Sequence, residues 1–508
     1  MQYGFILDQR KCIGCHACTV ACKSENEVPL ASFRTWVKYT EIGVFPQVKR
    51  HFAVLRCNQC TKAPCVTICP VNALAKRPDG IVDLDKDACI GCKACMQACP
   101  YDAIYLNEDT GGAEKCHFCA HRVEQGLRPA CEVVCPEEAI VSGDVHDPNS
   151  RVSRLLQETG ERVVRRPEQN TGPNVFYLGV DDVSLHPGSA REGDAWLWSE
   201  RRLPPPGLPA DFPVHPTART VLDVDHDVHW GNKVSAYLVT KGIAAGAALC
   251  APLLPLIGVR GFAADWMPEI VALWFTLITV VLLITDLKRP QYFFRLLTRP
   301  NLKSWLVKGG FVLTAFSLVT VCVLAARVLG LDDAILPLRI LNVPLGVMTA
   351  IYTAFLFQQC EGRDLWQAPL ALSVQLLAQA LLLGAAILWP LSASDAGEHA
   401  RGVLPLLCAA GAFVHHLIAE KKRRGPHATA NARQAAALLP RIPVVAGRPG
   451  SAFVLGLRIT TLTAIGVVLM SFTPLAPVAA FLALPLFCAG LALYEHAFVR
   501  AAQLPPLS

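Results

Sequence analysis

Sixteen cysteines arranged in four runs limit what this chain can fold into more than any other feature. They are Cys12, Cys15, Cys18 and Cys22; Cys57, Cys60, Cys65 and Cys69; Cys89, Cys92, Cys95 and Cys99; and Cys116, Cys119, Cys131 and Cys135. The first and third runs share the spacing C-x2-C-x2-C-x3-C, and three of the four end in Cys-Pro, at Pro70, Pro100 and Pro136. The second run inserts four residues between Cys60 and Cys65, and the fourth inserts eleven between Cys119 and Cys131. A zinc ribbon needs only two C-x2-C pairs per ion and has no use for a third cysteine two residues on. An iron–sulfur cubane does: three thiolates of one run wrap it and the fourth reaches a partner cluster. Gly14, Ala17, Gly91 and Ala94 are small enough for the backbone to turn closely and aim its amides at cluster sulfur.

Disulfides are the other use for 21 cysteines, and they need an oxidising compartment. The opening "MQYGFILDQRKC" carries no basic region, apolar core or twin arginine, so the expectation is a chain whose thiols stay reduced and free for metal. Cys250, Cys322, Cys360, Cys408 and Cys488 stand singly in or beside apolar runs and read as small packing residues.

The rest of the chain is of a different kind. A hydrophobic content of 52% over 508 residues is too high for a soluble protein, and the excess lies downstream of residue 230. A polar stretch after Cys135 leads to "LPPPGLPADFPVHPTA", too proline-rich for helix, which reads as a spacer. The domain expectation is 1–202 for the cysteine region, 203–228 for the linker and 229–508 for a membrane region. Apolar runs of bilayer length then recur near Val234–Val259, Trp266–Leu287, Ser304–Leu329, Leu336–Gln358, Leu365–Trp389, Gly402–Glu420, Ser451–Phe472 and Leu475–Val499. The last is the weakest, because Pro477 and Pro485 interrupt it.

Eight spans return the chain end to the side of the cysteine region. Connections on that side carry Lys288, Arg289, Arg295, Arg299, Lys303, Arg363, Lys421, Lys422, Arg423, Arg424, Arg433, Arg441 and Arg448. The opposite connections offer Arg260, Arg339 and Arg401 among Asp265, Asp332, Asp333, Asp395 and Glu398. The positive-inside rule places the cysteine region on the cytoplasmic face of the inner (plasma) membrane; the competing reading is that basic loops dock an acidic cluster domain. A net charge of +6 spread over the chain, without a basic stripe interleaved with aromatics, argues against a nucleic-acid partner.

With these four runs, and "RPEQNTGPNVFYLG" at Arg166–Gly179, the first part resembles the four-cluster iron–sulfur subunit of dimethyl sulfoxide and polysulfide reductases. The resemblance implies clusters on Cys12, Cys15, Cys18 and Cys135; on Cys116, Cys119, Cys131 and Cys22; on Cys89, Cys92, Cys95 and Cys69; and on Cys57, Cys60, Cys65 and Cys99. All sixteen positions are cysteine, so four [4Fe-4S] clusters are expected, as a wire without a substrate pocket of its own. "TDLKRPQYFFRLLTRPNLKSW", "YTAFLFQQCEGRDLW" and the final "YEHAFVRAAQLPPLS" are similar to the NrfD/polysulfide reductase type of membrane subunit. The expected fold class is α+β: a double bis-[4Fe-4S] ferredoxin-like domain followed by an all-α eight-helix transmembrane bundle. Fusion in one chain departs from the usual separate polypeptides.

The membrane region must then hold haem or meet quinone. His415, His416 and His496 are the histidines in the expected spans, with His229 just before them, all toward the cysteine-region side; His415 and His416 point about 100° apart on a helix and cannot share a haem face. The second resemblance implies a haem-free site for menaquinone or ubiquinone. Lys241 lies about 12 Å into the first helix by helical rise, where it either serves a buried function or snorkels outward. Asp286 either takes a quinol proton or pairs with Lys288 and Arg289. Tyr352 resembles the family's quinone-side tyrosine, and His229 and Asn232 stand where the two regions should meet. His415, Glu420 and His496 are weaker candidates.

The expected function is electron transfer and membrane anchoring between the membrane quinone pool and a separate molybdopterin (Mo/W) catalytic subunit, as the resemblance implies for anaerobic respiration. Catalysis of the main reaction is expected on that other subunit, with quinone turnover on this chain left open. The alternatives are a redox-driven ion translocator, for which Lys241, Arg327 and Arg458 are too few and too near helix ends, and a passive membrane anchor.

Overall fold

In the computed structural model, residues 1–186, 188–192, 215–224, 228–392, 398–446 and 448–507 are described. Strands β1 (Tyr3–Asp8), β2 (Thr35–Val44), β3 (Gln47–Arg56), β4 (Leu74–Lys76), β5 (Val82–Leu84), β6 (Ile104–Leu106), β7 (Ala113–Lys115), β8 (Ile140–Asp144) and β9 (Val175–Leu178) build the first region. The alternation of Phe5 and Leu7 inward on β1 fits a central strand, which pairs antiparallel with β8 and parallel with β9. The β2–β3 and β4–β5 and β6–β7 hairpins are the other sheets. Between them lie short helices that carry cysteines: Ala17–Asn26, Pro64–Ile68, Ala94–Ala98 and Ala130–Val133.

Two further strands, β10 (Arg191–Glu192) and β11 (Ala218–Leu222), extend the β2–β3 sheet in the order β10-β11-β2-β3. The expected linker at 203–228 therefore holds a strand: "ARTVL" is β-prone and free of proline, and it pairs antiparallel with β2. Residues 203–214 and 225–227 of that linker lie outside the described residues.

Eight helices long and apolar enough to cross a bilayer follow: α1 (Asn232–Cys250), α2 (Met267–Asp286), α3 (Trp305–Val328), α4 (Asp332–Gln358), α5 (Pro369–Ser392), α6 (Glu398–Arg424), α7 (Ala452–Met470) and α8 (Ala476–Ala501). This is an integral, multi-pass membrane protein. The interruption expected in α8 does not occur, since Pro477 sits in the first turn, where its missing N–H costs nothing, and Pro485 is accommodated within the helix. Arg339 is not in a connection as expected; α4 starts at Asp332 and carries Arg339 into the bundle. Of the single cysteines, Cys250, Cys360 and Cys408 are buried packing residues, Cys488 is half-buried, and Cys322 faces outward.

α1 is the central element, packed by α2, α4, α5 and α8. Its crossing with α5 needs residues without side chains: a Cβ on Gly246 would stand 1.8 Å from the carbonyl oxygen of Ala380, and Gly384 faces Gly246 from the other side. The outer helices expose Trp274, Leu277, Leu318, Leu462, Phe481 and Leu482, as a lipid-facing surface requires.

The two regions share one apolar core, in which Cys95 and Cys99 pack with Trp230, Phe357 and Phe498. Polar clasps surround it. Asn301 donates to the Cys69 carbonyl at 2.8 Å, Ser304 to that of Ile68 at 2.7 Å, and Arg363 to Gln97 at 2.8 Å. Arg289 donates to the Thr110 and Lys86 carbonyls and Arg295 to that of Asp87. The basic α2–α3 connection thus docks the cysteine domain.

Candidate cluster path and quinone site

The chain folds the four runs so that cysteines distant in sequence meet. One cavity is lined by Cys12, Cys15, Cys18 and Cys135, a second by Cys22, Cys116, Cys119 and Cys131, and a third by Cys69, Cys89, Cys92 and Cys95. Cys57, Cys60, Cys65 and Cys99 form the remaining set, each close enough to others of the set for their charges to interact. Each run gives three thiols to one set and its fourth to the set of a partner run.

Three observations fit these sets to iron–sulfur clusters. Among the described residues no three His, Cys, Asp or Glu side chains converge on a single ion, whereas four cysteines line each of three cavities. Burial, followed by neighbouring thiolates, pushes the Cys99 and Cys119 thiols up to about 11 and the Cys92 thiol up to about 12, so a cationic centre is needed to hold four of them ionised together. Arg56, nearly inaccessible, donates to Cys131 Sγ at 3.3 Å and leaves its Nε and second Nη without partners, facing the cavity lined by Cys22, Cys116, Cys119 and Cys131.

Backbone amides also turn to sulfur. Ala139 N–H donates to Cys135 Sγ at 3.2 Å and Ala113 N–H to Cys89 Sγ at 3.4 Å. The third cysteine run needs a left-handed turn at Gly91, where φ is +67° and a Cβ would meet the Gly111 carbonyl at 2.5 Å.

The sets follow one another in a line. Cys18 of the first lies within electrostatic reach of Cys131 of the second, Cys57 of the Cys57–Cys99 set within reach of Cys116 of the second, and Cys65 of that same set within reach of Cys95, whose set comes last in the line. At one end Cys15 is exposed, beside exposed Ile13 and Val20. At the other the chain meets the membrane helices: Trp230 Nε1 donates to the Cys92 carbonyl at 3.4 Å, and Lys93 forms a 2.8 Å ion pair with Asp286. Asp286 therefore pairs across the regions and not with its neighbours Lys288 and Arg289. Trp230 stacks on Phe357 and Trp366, so an aromatic layer separates the last set from the bundle interior.

Beyond that layer the structure brings Lys241 and Tyr352 together. Lys241 does not snorkel: it is buried, donates to the Ala350 carbonyl at 3.0 Å and to Thr353, and lies 4.5 Å from the centre of the Tyr352 ring. Gly309 on α3 makes room for that ring, since a Cβ there would come within 2.4 Å of it. His229 and Asn232 make other contacts. The His229 N–H donates to Gln503, and Asn232 bonds His496 at 3.0 Å at the start of α1. Glu420 pairs with Arg423 and Arg424.

Beside Lys241 lies a second group, of which sequence reasoning named His415 only as a weaker candidate and Lys422 only as a connection residue, and missed Gln375, Gln379, Tyr494 and Glu495. Gln379 donates to Glu495 Oε1 at 2.8 Å, Lys422 to Gln375 Oε1 at 2.6 Å, and Gln375 to the Tyr494 hydroxyl at 2.9 Å. His415 Nδ1 lies 3.0 and 3.1 Å from the amide nitrogens of Gln375 and Gln379. All are buried. It also missed Glu269 on α2, which holds Arg339 in a two-point ion pair of 2.7 and 2.9 Å near the opposite ends of the helices. Single polar residues in apolar runs are the signal that could have found both groups.

Comparison with known proteins covers both regions. Residues 48–145 match the 4Fe-4S dicluster domain and residues 220–402 match the family described as Polysulphide reductase, NrfD. The sequence is 44% identical to a tetrathionate reductase subunit of Salmonella typhimurium over 202 residues, 39% of this chain and 80% of that protein. It is 39% identical to a polysulfide reductase polypeptide of Wolinella succinogenes over 182 residues, 35% of this chain and 94% of the relative, and 40% identical to Protein NrfC of Escherichia coli over 161 residues, 31% and 72% respectively. A 4Fe-4S cluster domain and a membrane domain of the NrfD type thus stand in one polypeptide, which belongs to the family of these reductase iron–sulfur subunits, fused to an NrfD-type membrane domain.

Proposed function

We propose that this chain carries electrons through four [4Fe-4S] clusters between a membrane quinone, menaquinone or ubiquinone, and a separate molybdopterin-type catalytic subunit. The carrying observation is the line of four cysteine sets running from exposed Cys15 to the aromatic layer above Lys241 and Tyr352. All sixteen cysteines serve as ligands in the sets given above. The clusters supply one-electron transfer; the residues around them hold thiolates and exclude water. The unit boundaries proposed are 1–202 for the cluster domain, 203–228 for the connection and 229–508 for the membrane domain.

The chain's own residues divide the work at the quinone. Lys241 and Tyr352 offer an ammonium and a phenol from neighbouring helices to a quinone oxygen, and His229 and Asn232 line the approach from the cluster side. Asp286, engaged with Lys93, holds the last cluster against the bundle instead of moving protons. A haem-free site is part of this reading, supported by the engagement of His415, His416 and His496 with Gln375, Thr461 and Asn232 respectively. The partner docks around Cys15, where Ile13 and Val20 are exposed. The cluster domain faces the cytoplasm of the inner membrane. The residues that support this after the α2–α3 connection is set aside are Lys421, Arg423, Arg424, Arg433 and Arg448.

Anaerobically purified protein tests the reading. It should contain about sixteen irons per chain and no b-type absorption band, and its clusters should be reduced on addition of menadiol. Tyr352→Phe and Lys241→Met should each slow that reduction by on the order of 100-fold with iron content unchanged. Zinc in place of iron, or clusters indifferent to quinol, would overturn it.

A further inference from the structure

Two buried polar atoms in the group beside Lys241 have no partner: Oε2 of Glu495 and Nε2 of His415. The group is otherwise well ordered by charge. Lys422 fixes the Gln375 carbonyl toward itself, and Glu495 fixes the Gln379 amide toward itself, so both glutamines turn N–H groups to His415 Nδ1. That nitrogen must then accept, which leaves His415 neutral with its proton on Nε2. His415 is locked as an anchor and cannot pass a proton along the ring.

Glu495 differs. One oxygen is held by Gln379 and the other is free, while the carboxylate interacts through space with Lys241 of the proposed quinone site and with Lys422. The groups facing it are Lys241 and Tyr237 from α1, Gln379 from α5 with His415 of α6 behind it, Lys422 from α6, and Tyr494 on its own helix; α7 packs Phe453 on Tyr494 and brings Gly456 and Thr460 against Gly490 of α8, none of them titratable. Glu495 stands six residues from the end of α8, about 9 Å by helical rise, and Lys422 two residues from the end of α6. Both ends are on the cluster side.

We propose that Glu495 is the proton-exchanging carboxyl of the quinone site, with Lys422 and Lys241 as the counter-charges that keep it ionised, and that it exchanges protons with water on the cluster side. This rests on the quinone reading above. In quinol oxidation both O–H bonds break; two electrons leave one at a time through the clusters, and each accompanying proton goes to Glu495 and then to water on that same side, giving quinone. Reduction reverses every step. Electrons and protons therefore enter and leave by one face, and turnover moves no net charge across the bilayer.

The test uses the full-length, cluster-loaded protein in sealed liposomes, with menadiol as donor and cluster bleaching followed from pH 6 to 9. Glu495→Gln should slow bleaching by on the order of 100-fold and flatten its pH profile, with menadiol affinity unchanged, and Glu495→Asp should restore much of the rate. Lys422→Gln, which leaves the carboxyl in place, should move the profile to higher pH and decides the matter if Glu495→Gln does not fold. A Glu495→Gln protein with the wild-type rate and profile, an unmoved profile in Lys422→Gln, or proton release inside liposomes whose cluster domains face outward, would overturn the proposal. Failure of menadiol to bleach the wild-type clusters would instead overturn the quinone reading itself.

Discussion

Among the described residues the bundle buries two carboxylates, and they are held in opposite ways. At the end away from the clusters, Glu269 gives both oxygens to Arg339, whose second Nη also donates to the Ala264 carbonyl at 2.8 Å. At the cluster end, Glu495 gives one oxygen to a neutral amide and keeps the other free. A charge whose hydrogen bonds are complete is a clasp, because moving its proton would break several contacts at once. A charge with an open oxygen and two amines within reach can change protonation without dismantling its surroundings. Completeness of pairing, and not burial alone, separates the structural carboxylate from the working one.

Stability measurements give the largest contrast. Glu269→Gln leaves the Arg339 guanidinium buried without its counter-charge and should cost about 3–5 kcal/mol, seen as a fall of many degrees in the melting temperature of detergent-solubilised protein. Glu495→Gln should cost less, no more than about 2 kcal/mol, because the new amide still accepts from Gln379 and the amines of Lys241 and Lys422 keep their hydrogen bonds to Ala350, Thr353 and Gln375. Equal losses at the two positions would erase the distinction between clasp and working group.

The interface between regions provides an intermediate case. Asp286 and Lys93 are paired at 2.8 Å with Lys93 almost fully buried. Asp286→Asn should cost about 2 kcal/mol and loosen the docking of the 288–303 connection, read as faster amide hydrogen exchange there. Its effect on menadiol oxidation should be small beside that of Glu495→Gln; a larger one would return Asp286 to the proton path.

These contrasts also explain what the sequence discloses. The cysteine runs proposed as cluster ligands are legible because their members lie close in sequence; the eight spans are legible because length and apolarity are local properties. Contacts across long separations are not. Asp286 has two cations beside it in sequence and pairs with neither, since Lys93 is brought against it by the docking of a loop 193 residues away. Lys241 gives no local sign of whether it snorkels; Ala350 and Thr353, on another helix, decide it. Glu495 sits between Tyr494 and His496 near the chain end and resembles an interfacial residue until α1, α5 and α6 close around it.

The smallest effect belongs to a fourth carboxylate, in the cluster domain. Glu41 on β2 takes hydrogen bonds from Arg50 on β3 and from Arg219 on β11, and these two guanidiniums hold its carboxyl below the usual 4.5. A carboxyl depressed in the folded state contributes stability that is complete above its unfolded value and is lost as pH falls through its folded one. Acidification below about 4.5 should therefore release β11 from β2 before the rest of the sheet. Both arginines are half-exposed or more, so the contribution is no more than about 1 kcal/mol. Amide exchange at Ala218–Leu222 should accelerate as pH falls through that range once the intrinsic acid dependence is divided out, and Glu41→Gln should remove the acceleration. If the variant keeps it, the strand is held by its backbone pairing alone, and Glu41, for all its pairing, is not a clasp of the kind Glu269 makes.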